Sequence, residues 1–364
     1  MIRGQPQTEP SPWMAAAVPA VSILGALLVG AAMLALAGVN PLVAYADLVT
    51  DPFGSVFGWT ETIVKTSPLI LTGLAVLLPA RMKLWNIGAE GQLQLGAIGA
   101  SWVALWTPLG HSPVAVPALL LAGMAAGALW CLIPAVLRAW LSVNETITTL
   151  LLNYVALLLV DYLIYGPWKD PASLGFPLSA PFPAAARLPL LVSGTRVHLG
   201  FLLALAAVAA TMFVLTRTRW GFEIRVIGDN PHAARYAGIS LGRNILLVMA
   251  VAGAMAGLAG ACEASAIAGR LERGLSPGYG YTGIIVAWLA RLSPLATVLV
   301  ALLLGALFLG GDALQISLGL PSAVVFMLQG LIFFFVLGGE RVVLSRFPAW
   351  RRPPVERGPA PAKS

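Results

Sequence analysis

Residues 114–137 read VAVPALLLAGMAAGALWCLIPAVL, a run without a single charge. At ~1.5 Å per residue, a helix of this length reaches about 36 Å, more than the ~30 Å hydrocarbon core of a bilayer. A helix on a water-soluble surface keeps one polar face, and this one has none. The run therefore reads as a membrane span and sets the reading of everything around it. Nine other segments follow the same rule: 15–37, 66–79, 87–106, 146–165, 197–215, 244–268, 281–290, 294–310 and 320–337. Segments 66–79 and 281–290 are short for a full crossing, as expected of broken helices lining a solute path. The expected fold class is all-α: a polytopic transmembrane bundle of about ten spans, some short or broken.

Composition points the same way. Of 364 residues, 59% are hydrophobic and 10% charged, against roughly a quarter charged in a soluble domain. That excludes a cytosolic enzyme, a disordered regulator and a disulfide scaffold. Cys131 and Cys262 fall in apolar segments without metal-ligand spacing and read as small core residues. The first apolar run is longer than a signal-peptide core and is followed by many more, so it reads as an uncleaved first span.

The net charge of +7 needs no nucleic acid to explain it. Lys and Arg concentrate on the cytoplasmic side of membrane proteins. Threading ten spans from an inner N-terminus puts sixteen of the 22 basic residues inside and six outside, so both termini are expected in the cytoplasm. The organisation follows: a cytoplasmic tail 1–14, a transmembrane domain 15–338 with a basic inner loop 216–243, and a Pro- and Arg-rich cytoplasmic tail 339–364 beside the lipid surface. The Pro-rich segment 166–196 is expected to cap the outer face. Gly123/Gly127 and Gly253/Gly257 fit the small-residue spacing that lets membrane helices approach, read here as core packing.

Polar groups at membrane depth are costly and often functional. One cluster is Trp85-Asn-Ile-Gly-Ala-Glu90-Gly-Gln92, where glycines surround a carboxylate and amides. Asn86, Glu90 and Gln92 are candidates for the solute path. They are equally suited to capping a helix start and bonding to neighbouring helices, and the two roles are compatible. Ser142-Val-Asn-Glu145 has the form of a capping box, with Ser142 as the cap. Asn153 and Tyr154, about two turns further, are path candidates. Asp161, Glu263 and the pair Asp312 and Gln315 fall near expected outer ends, where water reaches them.

In the inner loop, Asp229 or Asn230 suits an N-cap, Pro231 the first helical position and Gly238 the residue past the end. This spells a helix of about two turns, too short to stand alone in water. It must rest on this chain's own inner surface or in a groove of a cytoplasmic partner. Absences narrow the chemistry. No Walker-type phosphate loop is present, the three histidines sit apart from Asp, Glu and Cys, and no hydrolase or protease constellation appears. Gly278-Tyr-Gly-Tyr-Thr-Gly283 matches a dinucleotide pattern literally but lacks its strand and acid, so its glycines read as a helix break.

Asn86–Gln92, Asn144-Glu-Thr-Ile-Thr-Thr149 with Asn153-Tyr154, Gly228–Ile239 and Leu275-Ser-Pro-Gly-Tyr-Gly-Tyr-Thr-Gly-Ile284 resemble, in order, the permease family of bacterial ABC importers for simple sugars and nucleosides. The Asn86–Gln92 form is closest to the nucleoside branch, with a pentose or hexose permease as the alternative. The resemblance implies an inner-membrane subunit that binds no cofactor, with ATP and Mg²⁺ on a separate ABC ATPase. It also implies a second permease, different or identical, and a periplasmic or lipoprotein solute-binding protein. Asp229, Asn230, Pro231, Ala233, Ala234, Arg235, Tyr236 and Gly238 become the ATPase-coupling helix. Trp85 and Trp288 depart from the family pattern and leave solute size open. A stand-alone secondary transporter would need a mid-membrane coupling carboxylate, for which Glu90 is the one candidate in this reading.

Overall fold

The computed structural model describes residues 12–321 and 323–346. Among them are thirteen α-helices: α1 Pro12–Leu36, α2 Pro41–Phe53, α3 Val56–Ala80, α4 Ala89–Trp106, α5 Ala115–Leu141, α6 Glu145–Tyr165, α7 Leu199–Arg217, α8 Arg219–Asp229, α9 Pro231–Tyr236, α10 Leu241–Cys262, α11 Tyr279–Leu289, α12 Pro294–Leu318 and α13 Ala323–Arg346. β structure among these residues is confined to two isolated bridges. The all-α expectation stands.

Each expected apolar segment falls largely on a helix, and among the described residues length and hydropathy single out fewer than ten of them. Six helices are long and apolar enough to cross a membrane, or seven if α1 and α2, bent by 118°, act as one. The segment expected to be short at 66–79 belongs to the 25-residue α3. Its first turns carry Glu61 and Lys65, whose charges are met by Arg196 and Asp312, so the helix continues where hydropathy alone ends it. The other short segment is short: α11 has 11 residues, about 17 Å or half a bilayer. α4 is long enough, but Glu90, Gln92 and Gln94 occupy its first turns. α13 runs to Arg346, past the expected start of the tail at 339. Residues 1–11 and 347–364 of the expected tails lie outside the described residues, as do the basic side chains counted there.

The described residues divide into two compact units, one formed by 12–45 with the described residues of 318–346, the other by 46–317. In the first, α1 packs along α13, with Gly25 against the Phe335 ring. The Tyr45 hydroxyl donates to the Leu27 carbonyl at 2.7 Å.

The second unit is built around α4, α5 and α10, which glycines bring into backbone contact. A Cβ on Gly257 would overlap the Gly123 carbonyl, one on Gly127 the Gly253 carbonyl, and one on Gly96 the Gly257 carbonyl. Lipid gives no hydrophobic drive between helices, so close van der Waals contact carries the association. The expected small-residue pairs are thus spent inside this chain. α3 and α11 pack together the same way, with Gly283 on Thr72 and Gly73 on Val286. At one end of the unit the Pro-rich segment lies on the residues after α10. The Ser265 hydroxyl donates to Ala186 O at 2.6 Å, and Leu271 N donates to Ser179 Oγ at 2.8 Å.

Candidate functional site

The first site grows from the non-helical turn between α3 and α4. Asn86 and Gln92 form a reciprocal amide pair, with Asn86 Nδ2 donating to Gln92 Oε1 at 3.1 Å and Gln92 Nε2 to Asn86 Oδ1 at 2.8 Å. Asn86 Oδ1 also accepts from Gly88 N at 3.1 Å. The first N–H groups of a helix have no partner within it, and here α6 supplies one. Asn153 Oδ1 accepts from Gly91 N at 2.8 Å, and its Nδ2 donates to Ile87 O at 2.8 Å. Thr149, four residues earlier on the same face, accepts from Ile87 N at 3.2 Å.

Glu90 caps a helix, as expected, but not its own. Its Oε2 accepts from Gly280 N at 2.8 Å, in the first turn of α11 and 190 residues away. A carboxylate at that position meets both the free N–H and the positive end of the helix. The approach requires glycine at 280, because a Cβ there would overlap the Glu90 backbone. Gly278 supplies the left-handed turn that starts α11, at φ 95°. The dinucleotide-like glycines are therefore a helix break and a close contact.

Four of the five expected path residues, Asn86, Glu90, Gln92 and Asn153, are thus buried in one hydrogen-bonded node. Tyr154 is placed apart from it, 56% exposed on α6. Trp85, the residue before Asn86, stacks on Trp288 with centroids 5.2 Å apart. The capping-box expectation is corrected. Ser142 ends α5 in the left-handed conformation, and Asn144 is the N-cap of α6, accepting from Thr146 N at 2.9 Å. Glu145 instead pairs with Arg138 at 3.2 Å.

The second site is α9. Asn230, rather than Asp229, is its N-cap, accepting from His232 N at 2.9 Å and Ala233 N at 3.2 Å. Pro231 opens the helix, and Gly238 leaves it at φ 75°. Ala234 is buried, whereas Asp229, Asn230, Pro231, Ala233, Arg235 and Gly238 are exposed and Tyr236 is 94% exposed. A groove of about 550 Å³ beside it is lined by Arg138, Ser142, Arg235 and Ser240. α9 is anchored through the preceding helix. Gly228 of α8 sits on the Arg81 carbonyl, where a Cβ would overlap it. The Arg81 guanidinium donates to Leu292 O through Nη2 at 2.6 Å. Burial, and then neighbouring Arg225, lower the Arg81 guanidinium below its ordinary value.

A third cluster, at the opposite end of the helices, escaped the sequence reading. Arg196 grips buried Glu61 with both Nε, at 2.9 Å, and Nη2. Lys65, one turn on from Glu61, pairs with Asp312 at 2.7 Å. Glu263 was expected near water and is 4% exposed, so that expectation is overturned. Glu90 is accordingly one of four buried carboxylates among the described residues of this unit, with Glu61, Glu145 and Glu263, and not the lone candidate. The signal available in the sequence was the i, i+4 Glu61–Lys65 pair just ahead of an apolar run.

Comparison with known proteins identifies the family. The family described as branched-chain amino acid transport system / permease component matches residues 58–337. The glucose ABC transporter permease protein TsgB13 of Haloferax volcanii is 43% identical over 338 residues, covering 90% of this chain and 88% of that one. The guanosine ABC transporter permease protein NupP of Bacillus subtilis is 37% identical, covering 88% and 92%. A second guanosine permease of that organism, NupQ, is 28% identical, covering 76% and 90%. With its multi-pass helices, this chain belongs to that permease family, among the ABC permeases for simple sugars and nucleosides.

Proposed function

We propose that the chain is the membrane-spanning subunit of an ABC importer for nucleosides or related purine compounds, seated through α9 on a separate ATPase. The observation that carries this reading is α9 itself. It is a six-residue helix capped at both ends, too short to persist without support, and it turns Arg235 and Tyr236 outward. ATP and Mg²⁺ belong to the partner, and closure of two ATPases pushes on α9 and switches the path between its two openings. The NupP and NupQ pair in one organism supports a second, different permease beside this one. A solute-binding protein delivers the solute on the face opposite α9, and the bacterial inner membrane is the setting.

Arg235→Ala with Tyr236→Ala tests the coupling. Uptake into cells and copurification of the ATPase are both expected to fall, and persistence of both sinks the assignment. A second reading, a hexose permease, is favoured by the 43% identity to TsgB13. Uptake of labelled guanosine in competition with unlabelled nucleosides and glucose separates the two. Competition by sugar alone sinks the nucleoside reading.

A further inference from the structure

α10 leaves α-helical geometry at Glu263, and Glu263–Ala268 form a π-helical turn that ends in left-handed Gly269. Such turns insert one extra residue and recur at functional sites. This one is pinned by Ser265, whose hydroxyl bonds the Pro-rich segment at both Ala186 and Leu188. Glu263 is thereby held in the interior, where its Oε1 accepts no hydrogen bond from any described residue. The cations that act on it are Lys65 and Arg196. Each already holds a carboxylate of its own, Asp312 and Glu61 respectively.

Both cations are thus committed to other carboxylates, and Glu263 Oε1 is left without a donor among the described residues. A buried acceptor without a donor is expensive to maintain, and native structures keep such groups mainly for function. Tyr279 stands among the same charges, Glu263, Asp312, Arg196 and Glu90. Its ring meets Phe308 edge to face at 5.5 Å. The cluster thus combines an aromatic ring pair with a buried carboxyl oxygen that no described residue fills. That chemistry suits a neutral solute with hydroxyl donors.

We propose that Glu263 Oε1 accepts a hydrogen bond from a hydroxyl of the transported solute, a neutral polyhydroxyl compound such as the sugar part of a nucleoside. The ion pairs Glu61–Arg196 and Lys65–Asp312 fix the carboxylate's surroundings. This assignment rests on the importer reading above.

The test uses the complete transporter, with its ATPase and binding protein, in membrane vesicles. The probes are labelled guanosine, 2′-deoxyguanosine and 3′-deoxyguanosine. Should the wild type take up glucose instead, glucose and its deoxy analogues replace them. A site built around a hydroxyl discriminates strongly against the analogue lacking it. The wild type is expected to prefer the full solute over one deoxy analogue in kcat/KM. Glu263→Gln replaces one of the two acceptor oxygens by an amide donor, so that preference is expected to fall about tenfold, with normal amounts of protein in the membrane.

An unchanged preference, or an equal loss for every solute, overturns the proposal and leaves Glu263 a packing residue. If the glutamine variant fails to accumulate, Glu263→Asp, which withdraws the carboxylate by one methylene, is expected to lower the same ratio. Absence of ATP-dependent uptake by the wild type would sink the importer reading itself, a separate and distinguishable failure.

Discussion

Glu90 and Glu263 are both buried glutamates of one helical unit, yet their surroundings are opposite. Around Glu90 the polar atoms bond to each other and to backbone, so that α4, α6 and α11 share one knot. Around Glu263 the charges are paired two by two and one oxygen stays open. Membrane proteins spend polar residues either on closing the fold or on meeting a solute, and local hydrogen-bond accounting separates the two uses.

The contrast is broken most severely at Asn153. Asn153→Ala leaves Gly91 N–H and Ile87 C=O without their partner. At ~1–3 kcal/mol for each orphaned group, about 4 kcal/mol is expected to be lost. Thermal unfolding in detergent reads this directly, and a variant as stable as the wild type would mean that the knot does not hold the fold.

Acid probes the other region through His198, the N-cap of α7, whose Nδ1 accepts from Gly200 N at 3.1 Å. Burial pushes its folded pKa down to about 4 from an ordinary 6.5. Above pH 6.5 both folded and unfolded chains hold it neutral, and its contribution is complete. Between 6.5 and 4 the unfolded chain takes the proton first, so stability falls with pH, by up to about 3 kcal/mol. Unfolding midpoints across that window are expected to slope in the wild type and to flatten in His198→Asn, which keeps the cap without titrating.

Arg196→Gln comes next. It strips buried Glu61 of its guanidinium, but Arg196 is 59% exposed. The expected cost is about 2 kcal/mol, below the ~3–5 of a fully buried pair. Glu61→Gln in the same chain is expected to recover about half, measured as a double-mutant cycle. Glu263→Gln is expected to move stability least, by under about 0.5 kcal/mol or upward, because Oε1 accepts from no described residue. A large loss of unfolding midpoint there would erase the difference between the two glutamates.

The apolar runs were legible because lipid demands that each crossing satisfy its own backbone and hide its polarity. Hydropathy failed where polarity is cancelled at a distance. Glu61 and Lys65 look like the end of a span until Arg196, 135 residues on, and Asp312 are known. α2 and α8 were missed, the first because a 118° bend follows α1 and the second because half its surface is polar. Caps were legible as residue types but not as partners. The sequence reading expected Glu90 to cap a helix start, and nothing local told which. It expected Ser142 to open α6, whereas Asn144 took that position after Ser142 had closed α5.

Gly228 resting on the Arg81 carbonyl has a consequence for anyone recombining these permeases. Backbone against backbone leaves no rotamer to absorb a misfit, so displacement of α8 passes to the turn after α3 without slack. The natural unit of exchange is then discontinuous: residues 219–238 travel with residues 81–83. A chimera that swaps only the visible helix would inherit a tooth cut for another gear.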